Sequence, residues 1–331
     1  MTRRRVLTAA GWIALFFVTG PLSAFRSEAA DATTSITVRA GKSDSANYLL
    51  ARQFAEALVL AGNGKFALDV KESQGSVRNV IDAPKDSANT IFTASRSVIQ
   101  LARHGAKPFA PNPGYADIRS LFPIPFQTLH WVVRQDSNIT SIEALAGHGF
   151  VPGSKGSVSE RVTGSALQFL GLERKVQLMD LDVAAAPGAV MSNKVSGLAV
   201  AGSYPIPVVT DIAKATPIRL LGLDKATIDK MVAADDSIAP QIIPKGTYAG
   251  VDQDIATVAV SAGAYTTRRM SNETAYAITK AFWTQIGALV NRNAAWSAIT
   301  ASALPTLGIK LHPGALRYYE EANMAVPETI R

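Results

Sequence analysis

The alternation of apolar and polar positions changes period repeatedly along this chain. Ser35-Ile36-Thr37-Val38-Arg39 alternates with period two and predicts a strand. Leu50, Phe54, Leu58 and Val59 then recur at helical spacing, predicting a helix from Asn47 to about Leu60. Phe66-Ala67-Leu68-Asp69-Val70 predicts a second strand, the stretch through Val77 and Val80 a helix, and Asn89 to Thr93 a third strand. This strand–helix–strand rhythm predicts parallel pairing with helical crossovers.

The pattern is less regular at Leu121-Phe122-Pro123-Ile124-Pro125, where two prolines predict an irregular approach to a strand over 129–133. A second strand–helix series follows. It has a short helix at 141–147, a strand at Phe150-Val151 and a helix from Ser157 to Leu170 closed by Gly171. Further strands are expected near 176–179, 198–200 and 218–221. Ile255 to Val260 is strongly β-prone, and a long amphipathic helix is expected from Glu273 to Val290. The prediction is an α/β protein of two lobes. One spans 34–134 plus 244–331 and the other 135–243, with two strands crossing between them. Ligand sites in open α/β sheets form at the loops leaving the strand ends, so the cleft between the lobes is the expected site.

The N-terminus follows a different rule. Arg3-Arg4-Arg5, an apolar run to Phe25 and the small residues before Ala30 have the layout of a secretory signal peptide, with cleavage expected after Ala29. The arginines also fit a twin-arginine signal loosely, which leaves the export route open. The formal charge of +7 falls to +4 once residues 1–29, with four Arg and one Glu, are removed. That dispersed charge does not point to nucleic acid. With no cysteine, disulfides, thiol catalysis and a lipid-anchored cysteine are all excluded. The expected product is a soluble, monomeric protein of an exported compartment, most simply a bacterial periplasm.

Catalytic patterns fail on spacing. Gly41-Lys42-Ser43 lacks the glycine five positions earlier that a phosphate-binding loop needs, because position 36 is Ile. His104, His130, His148 and His312 are scattered without metal-ligand spacing. There is no G-x-S-x-G elbow. No catalytic residue, cofactor or metal is expected. What recurs is a strand, a Gly/Ser-rich loop and a helix start, at 40–47, 74–77 and 152–160, and more loosely at 201–205. Free N–H groups and small hydroxyls there suit an anion or act as ordinary caps; Ser157 with Glu160 reads as a capping box. Tyr48, Trp131, Tyr204 and Tyr248 are equally candidates for cleft wall or core.

These loops resemble those of the TAXI family, the periplasmic solute-binding proteins of TRAP transporters. Asp44-Ser45-Ala46-Asn47-Tyr48 stands where the family reads Gly-Thr-Tyr-Tyr, with Tyr48 matching the second Tyr. Gln74-Gly75-Ser76 corresponds to its Gly-Gly-Ser, and Ser95-Arg96-Ser97 replaces its Gln-Ser-Asp. Lys155-Gly156-Ser157-Val158-Ser159-Glu160 aligns with its Pro-Gly-Ser-Gly-Thr-Glu. Gly202-Ser203-Tyr204-Pro205, Gly246-Thr247-Tyr248-Ala249-Gly250, Thr257-Val258-Ala259-Val260 and Leu311-His312-Pro313-Gly314-Ala315 match further family segments.

The resemblance implies a periplasmic-binding-protein-like fold (type II-like) that closes by hinge motion over a small solute and delivers it to TRAP membrane permease subunits. Family ligands lean towards glutamate-like amino acids and dicarboxylates. The altered first-lobe loops leave the ligand open as an organic anion or amino acid. The residues expected at the ligand are Ser43, Asp44, Ser45, Asn47, Tyr48, Ser76, Ser95, Arg96, Ser154, Lys155, Ser157, Val158, Ser159, Ser203 and Tyr204. For Arg96, pairing with a ligand carboxylate and bridging to an acid of its own lobe are both open. Two other functions are consistent with the same residues, a sensory ligand-binding subunit and a periplasmic enzyme on a related fold.

Overall fold

The computed structural model describes Met1, residues 33–43 and residues 45–331. The expected signal segment and Asp44 lie outside the described residues. Thr33–Arg331 forms one compact unit.

The first strand–helix series forms as the periodicity predicts. β1 (Thr34–Arg39) pairs in parallel with β2 (Phe66–Lys71) and β3 (Thr90–Ser95). Helix α1 (Ala46–Gly62) starts at Ser45, whose hydroxyl accepts the Tyr48 N–H at 3.2 Å, and stops at Asn63 in the left-handed conformation. Its Leu50, Phe54 and Leu58 are buried. α2 (Ser76–Asp82) and α3 (Arg96–Arg103) complete the series.

β4 (Ile118–Arg134) is a single strand of 17 residues, with Pro123 and Pro125 inside it. The irregular approach expected at 121–125 is therefore β-structure. The reason lies in its partner, β10. Val260 faces Gln127 and Ala262 faces Ile124, so Ser261 alone opposes Pro125 and Phe126. Such a bulge interrupts the ladder where Pro125 has no N–H to offer.

Between these long strands run β5 (Gly149–Val151), α4 (Val158–Phe169), β6 (Gln177–Leu178), α5 (Ala186–Met191), β7 (Gly197–Gly202), α6 (Pro207–Ala215), β8 (Ile218–Leu220), α7 (Lys225–Ala234) and β9 (Ile238–Ile243). β10 (Ile255–Thr267) follows. All ten strands of the described residues form one sheet in the order β2-β1-β3-β10-β4-β7-β5-β6, with β8 on β4 and β9 on β10. β4 and β10 lie side by side at its centre and run through both halves of the molecule.

The apolar cores reveal those halves. One cluster gathers Ile36 through Ile124 together with Ala262 through Ile330. Phe122 stacks on Phe282 there, with centroids 3.9 Å apart, and Trp296 donates its indole N–H to Gln53 Oε1 at 2.8 Å. Two further clusters draw on Leu129 through Val260, and Trp131 stacks on Phe150 at 5.5 Å in one of them. The change of cluster falls at the Pro125–Phe126/Ser261 bulge. We call these halves the first lobe, with its core in 36–124 and 262–330, and the second lobe, with its cores in 129–260.

The helix expected over 273–290 is two helices, α8 (Asn272–Thr284) and α9 (Ile286–Arg292). The break at Gln285 turns α9 so that Leu289 is buried in the first core and Arg292 pairs with Glu56 of α1. The last helix, α10 (Pro313–Glu321), is capped by His312. No helix of the described residues is long and apolar enough to cross a membrane.

Candidate functional site

A cleft of about 310 Å³ opens between the lobes. The first lobe supplies the loop after β1 (Gly41, Lys42, Ser43, Ser45), the start of α1 (Ala46, Asn47, Leu49) and the start of α2 (Gln74, Gly75, Ser76). The second lobe supplies Ser154, the start of α4 (Ser157, Val158, Ser159), Val183, the end of β7 (Val200, Ala201) and the start of α6 (Ile206, Pro207, Val208). Gln127 enters from β4. Four helix starts therefore border one space, and each brings backbone N–H groups without helical partners.

The walls touch around this space. A Cβ on Gly75 would lie 3.5 Å from the Gly156 carbonyl oxygen, and one on Gly156 would lie 3.4 Å from that of Gln74. Both glycines have positive φ, 96° and 76°, so each combines a backbone conformation that side chains disfavour with close approach to the opposite lobe. Lys42 of the first lobe forms an ion pair with Asp182 of the second.

Most polar side chains here have a defined partner. The Ser45 hydroxyl donates to the Lys42 carbonyl at 2.7 Å while it caps α1. Ser154 accepts the Val183 N–H at 3.1 Å, Ser157 accepts that of Glu160 at 3.1 Å, and Ser159 accepts that of Ala201 at 2.8 Å. Gln127 donates its amide to Asn47 Oδ1 at 2.8 Å. Glu160 completes the capping arrangement one residue earlier than expected, accepting the Gly156 N–H at 2.6 Å. Ser76 is 2% exposed, and its hydroxyl has no partner among the described residues.

Of the residues expected at the ligand, Ser43, Ser45, Asn47, Ser76, Ser154, Ser157, Val158 and Ser159 line this cleft. Tyr48 lies on the far side of α1 beside Arg52 and Leu68, where its hydroxyl donates to the Val70 carbonyl at 3.3 Å. Ser95 is buried against Ser97, with hydroxyls 3.2 Å apart. Lys155 is exposed and outside the cleft. Ser203 and Tyr204 border a separate hollow with Pro125 and Gln241. There Ser203 donates to the Phe126 carbonyl at 3.1 Å and Tyr204 accepts from Gln241 at 3.0 Å. Asp44 lies outside the described residues.

Arg96 does not line the cleft, and it bridges to an acid, though not one of its own lobe. Its guanidinium pairs with Asp236, an acid of the other lobe. None of the four aromatics lines the cleft: Trp131 and Tyr248 are buried, and Tyr48 and Tyr204 point elsewhere. The cleft residues that sequence reasoning missed are mainly Lys42, Gln127, Val200 and Ile206–Val208. Gln127 had a signal, being an amide that directly follows the apolar run Leu121–Phe126 of β4. The aliphatic ones had none, since their composition matches the core.

Behind the cleft a buried network fixes the start of α6. Ile206 donates its N–H to the Tyr248 hydroxyl at 2.8 Å, and Tyr248 in turn donates to His130 Nε2 at 3.0 Å. That direction follows from His130 Nδ1, which sits 2.9 Å from the Thr128 carbonyl and must carry the proton. Burial depresses the ring's pKa to about 4, which keeps it neutral at pH 7 and leaves Nε2 as the acceptor. Burial likewise raises the pKa of the Tyr248 hydroxyl.

A single sheet with helices on its faces, crossed by two long central strands and cut by a cleft, is the architecture of periplasmic binding proteins. MatC from Rhodopseudomonas palustris, solved with bound malate, matches with a TM-score of 0.55 and 10% identity over 79% of this chain and 88% of its own. A second R. palustris protein, solved with adipate, matches with a TM-score of 0.55 and 16% identity over 89% and 95%. The periplasmic binding protein BugD matches with a TM-score of 0.54 and 11% identity over 89% and 99%. At these identities the likeness defines the fold. The sequence itself matches the NMT1-like family over residues 39–322, and the chain belongs to that family.

Proposed function

We propose that this chain is an exported, periplasmic solute-binding protein, of the TAXI type, serving a TRAP-type secondary transporter. It captures a small carboxylate-bearing solute between its lobes, closes over it and delivers it to the membrane permease subunits as a monomer, without performing chemistry. The observation that supports this best is the cleft itself. Its walls come from the separate cores of the two lobes, and helix starts with small hydroxyl side chains border it from both lobes. N–H groups at helix starts favour an anion, and a solute touching both walls would favour the closed arrangement.

Closure would turn the lobes about the bulge at Pro125, Phe126 and Ser261, where the ladder between the two crossing strands is already interrupted. Arg96–Asp236, and Ser97 with Ser237 at 2.9 Å, tie the lobes together in the described structure.

A thermal-shift screen over amino acids, keto acids and mono- and dicarboxylates tests the reading. A solute present at 100 times its Kd stabilises the folded state by about 2.7 kcal/mol, and a clear rise in Tm is expected. A panel that leaves Tm unchanged throughout would refute the carboxylate reading. Neighbouring genes for TRAP membrane subunits are the expected genomic setting.

A further inference from the structure

We infer that the cleft selects a solute carrying a single carboxylate on a short aliphatic body over the dicarboxylate of the same length. This rests on the proposed binding function and goes further by assigning the solute's charge.

The first ground is the inventory of protons. Ser154, Ser157 and Ser159 each accept a backbone N–H, and among the described residues none of the three donates its own hydroxyl proton to the protein. Asn47 uses its carbonyl oxygen towards Gln127, which leaves its NH₂ group as a donor. A hydroxyl already accepting one strong bond is oriented to donate the next. These side chains therefore leave hydroxyl and amide protons for the cleft that they line, and such donors match the lone pairs of a carboxylate.

The second ground is the inventory of charge. Among the described residues lining the cleft, Lys42 is the only ionisable side chain, and Asp182 of the opposite lobe holds it. The start of α4 already has a carboxylate in place, because Glu160 accepts the Gly156 N–H. One ligand carboxylate can be met by neutral donors and the remaining helix starts. A second would find no free cation among the described lining residues. It would instead face Val158, Val200, Ile206 and Val208, a wall that suits methylene groups.

Isothermal titration of the purified mature protein with hexanoate, hexanedioate and hexanamide tests this. Hexanoate is expected to bind at least about tenfold tighter than hexanedioate, with hexanamide weaker than hexanoate. Asp182→Asn, which releases Lys42, is expected to narrow the ratio by improving hexanedioate binding. Hexanedioate binding as tightly as hexanoate would overturn the inference while leaving the broader binding function intact. Hexanamide matching hexanoate would overturn recognition of the charge. Binding of no carboxylate in the series, with an uncharged solute binding instead, would overturn both readings together.

Discussion

Lys42 and Asp182 stand on opposite lobes and meet as an ion pair beside the cleft. Both side chains are substantially exposed, 37% and 57%, so the pair adds little to folding. Its consequence is directional: it holds the lobes together, and when they part it leaves only two charges that water accepts readily. Lys42→Ala is expected to change unfolding free energy by less than about 1 kcal/mol. The same variant should release a bound solute severalfold faster in stopped-flow measurements, and added salt should shrink the difference from wild type.

His130 gives the fold a pH dependence with a defined sign. It is buried and neutral, with a pKa depressed to about 4 against an ordinary 6.5. The unfolded chain therefore takes up a proton at a pH where the folded chain does not. Stability is full above pH 6.5 and falls between 6.5 and 4, by about 3 kcal/mol at the lower limit. Urea unfolding at pH 7 and pH 4.5 should show the loss. His130→Gln, although less stable at pH 7, should show a smaller loss over the same interval. Because His130 holds Tyr248 and Tyr248 holds the Ile206 N–H, the cleft wall at α6 should loosen only as the folded-state ring takes up a proton, at about pH 4 and below.

Gly314 shows why a short motif near the C-terminus reads Leu-His-Pro-Gly-Ala. A Cβ at this position would lie 2.0 Å from the Asn272 carbonyl oxygen, so the start of α10 can pack on the start of α8 only through a glycine. The position is not strained in φ; the constraint is contact. Gly314→Ala is expected to destabilise by about 1–3 kcal/mol, read as a lower denaturant midpoint with an unchanged m-value.

Much of the fold is legible because it depends on local periodicity. α1 and the parallel β1–β3 ladder follow directly from period changes over residues 35–93. Pro125 misdirects the reading because its acceptance depends on a register shift against β10, more than a hundred residues away. The break at Gln285 is equally non-local, since it is set by what α9 must bury against α1.

At the cleft, the serine-rich loops at 43–47 and 154–159 announce themselves through residue type, as hydroxyls placed at helix starts. The aromatics do not, because Tyr48 and Trp131 look alike in sequence whether they face a ligand or a core. Arg96 is the sharpest case. Its partner Asp236 is 140 positions away in the other lobe, and no spacing rule connects them.

Capture of a carboxylate solute between the lobes requires an unfilled cleft. Calorimetric titration of the tightest solute from the screen into wild type and into Val208→Trp tests that requirement. Val208 is half-buried at the start of α6 and borders the cleft, so an indole there fills the space while circular dichroism checks the fold. One saturable site is expected in wild type, with a loss of affinity of at least about a hundredfold in the variant. Equal affinity in the two proteins would contradict capture in the cleft.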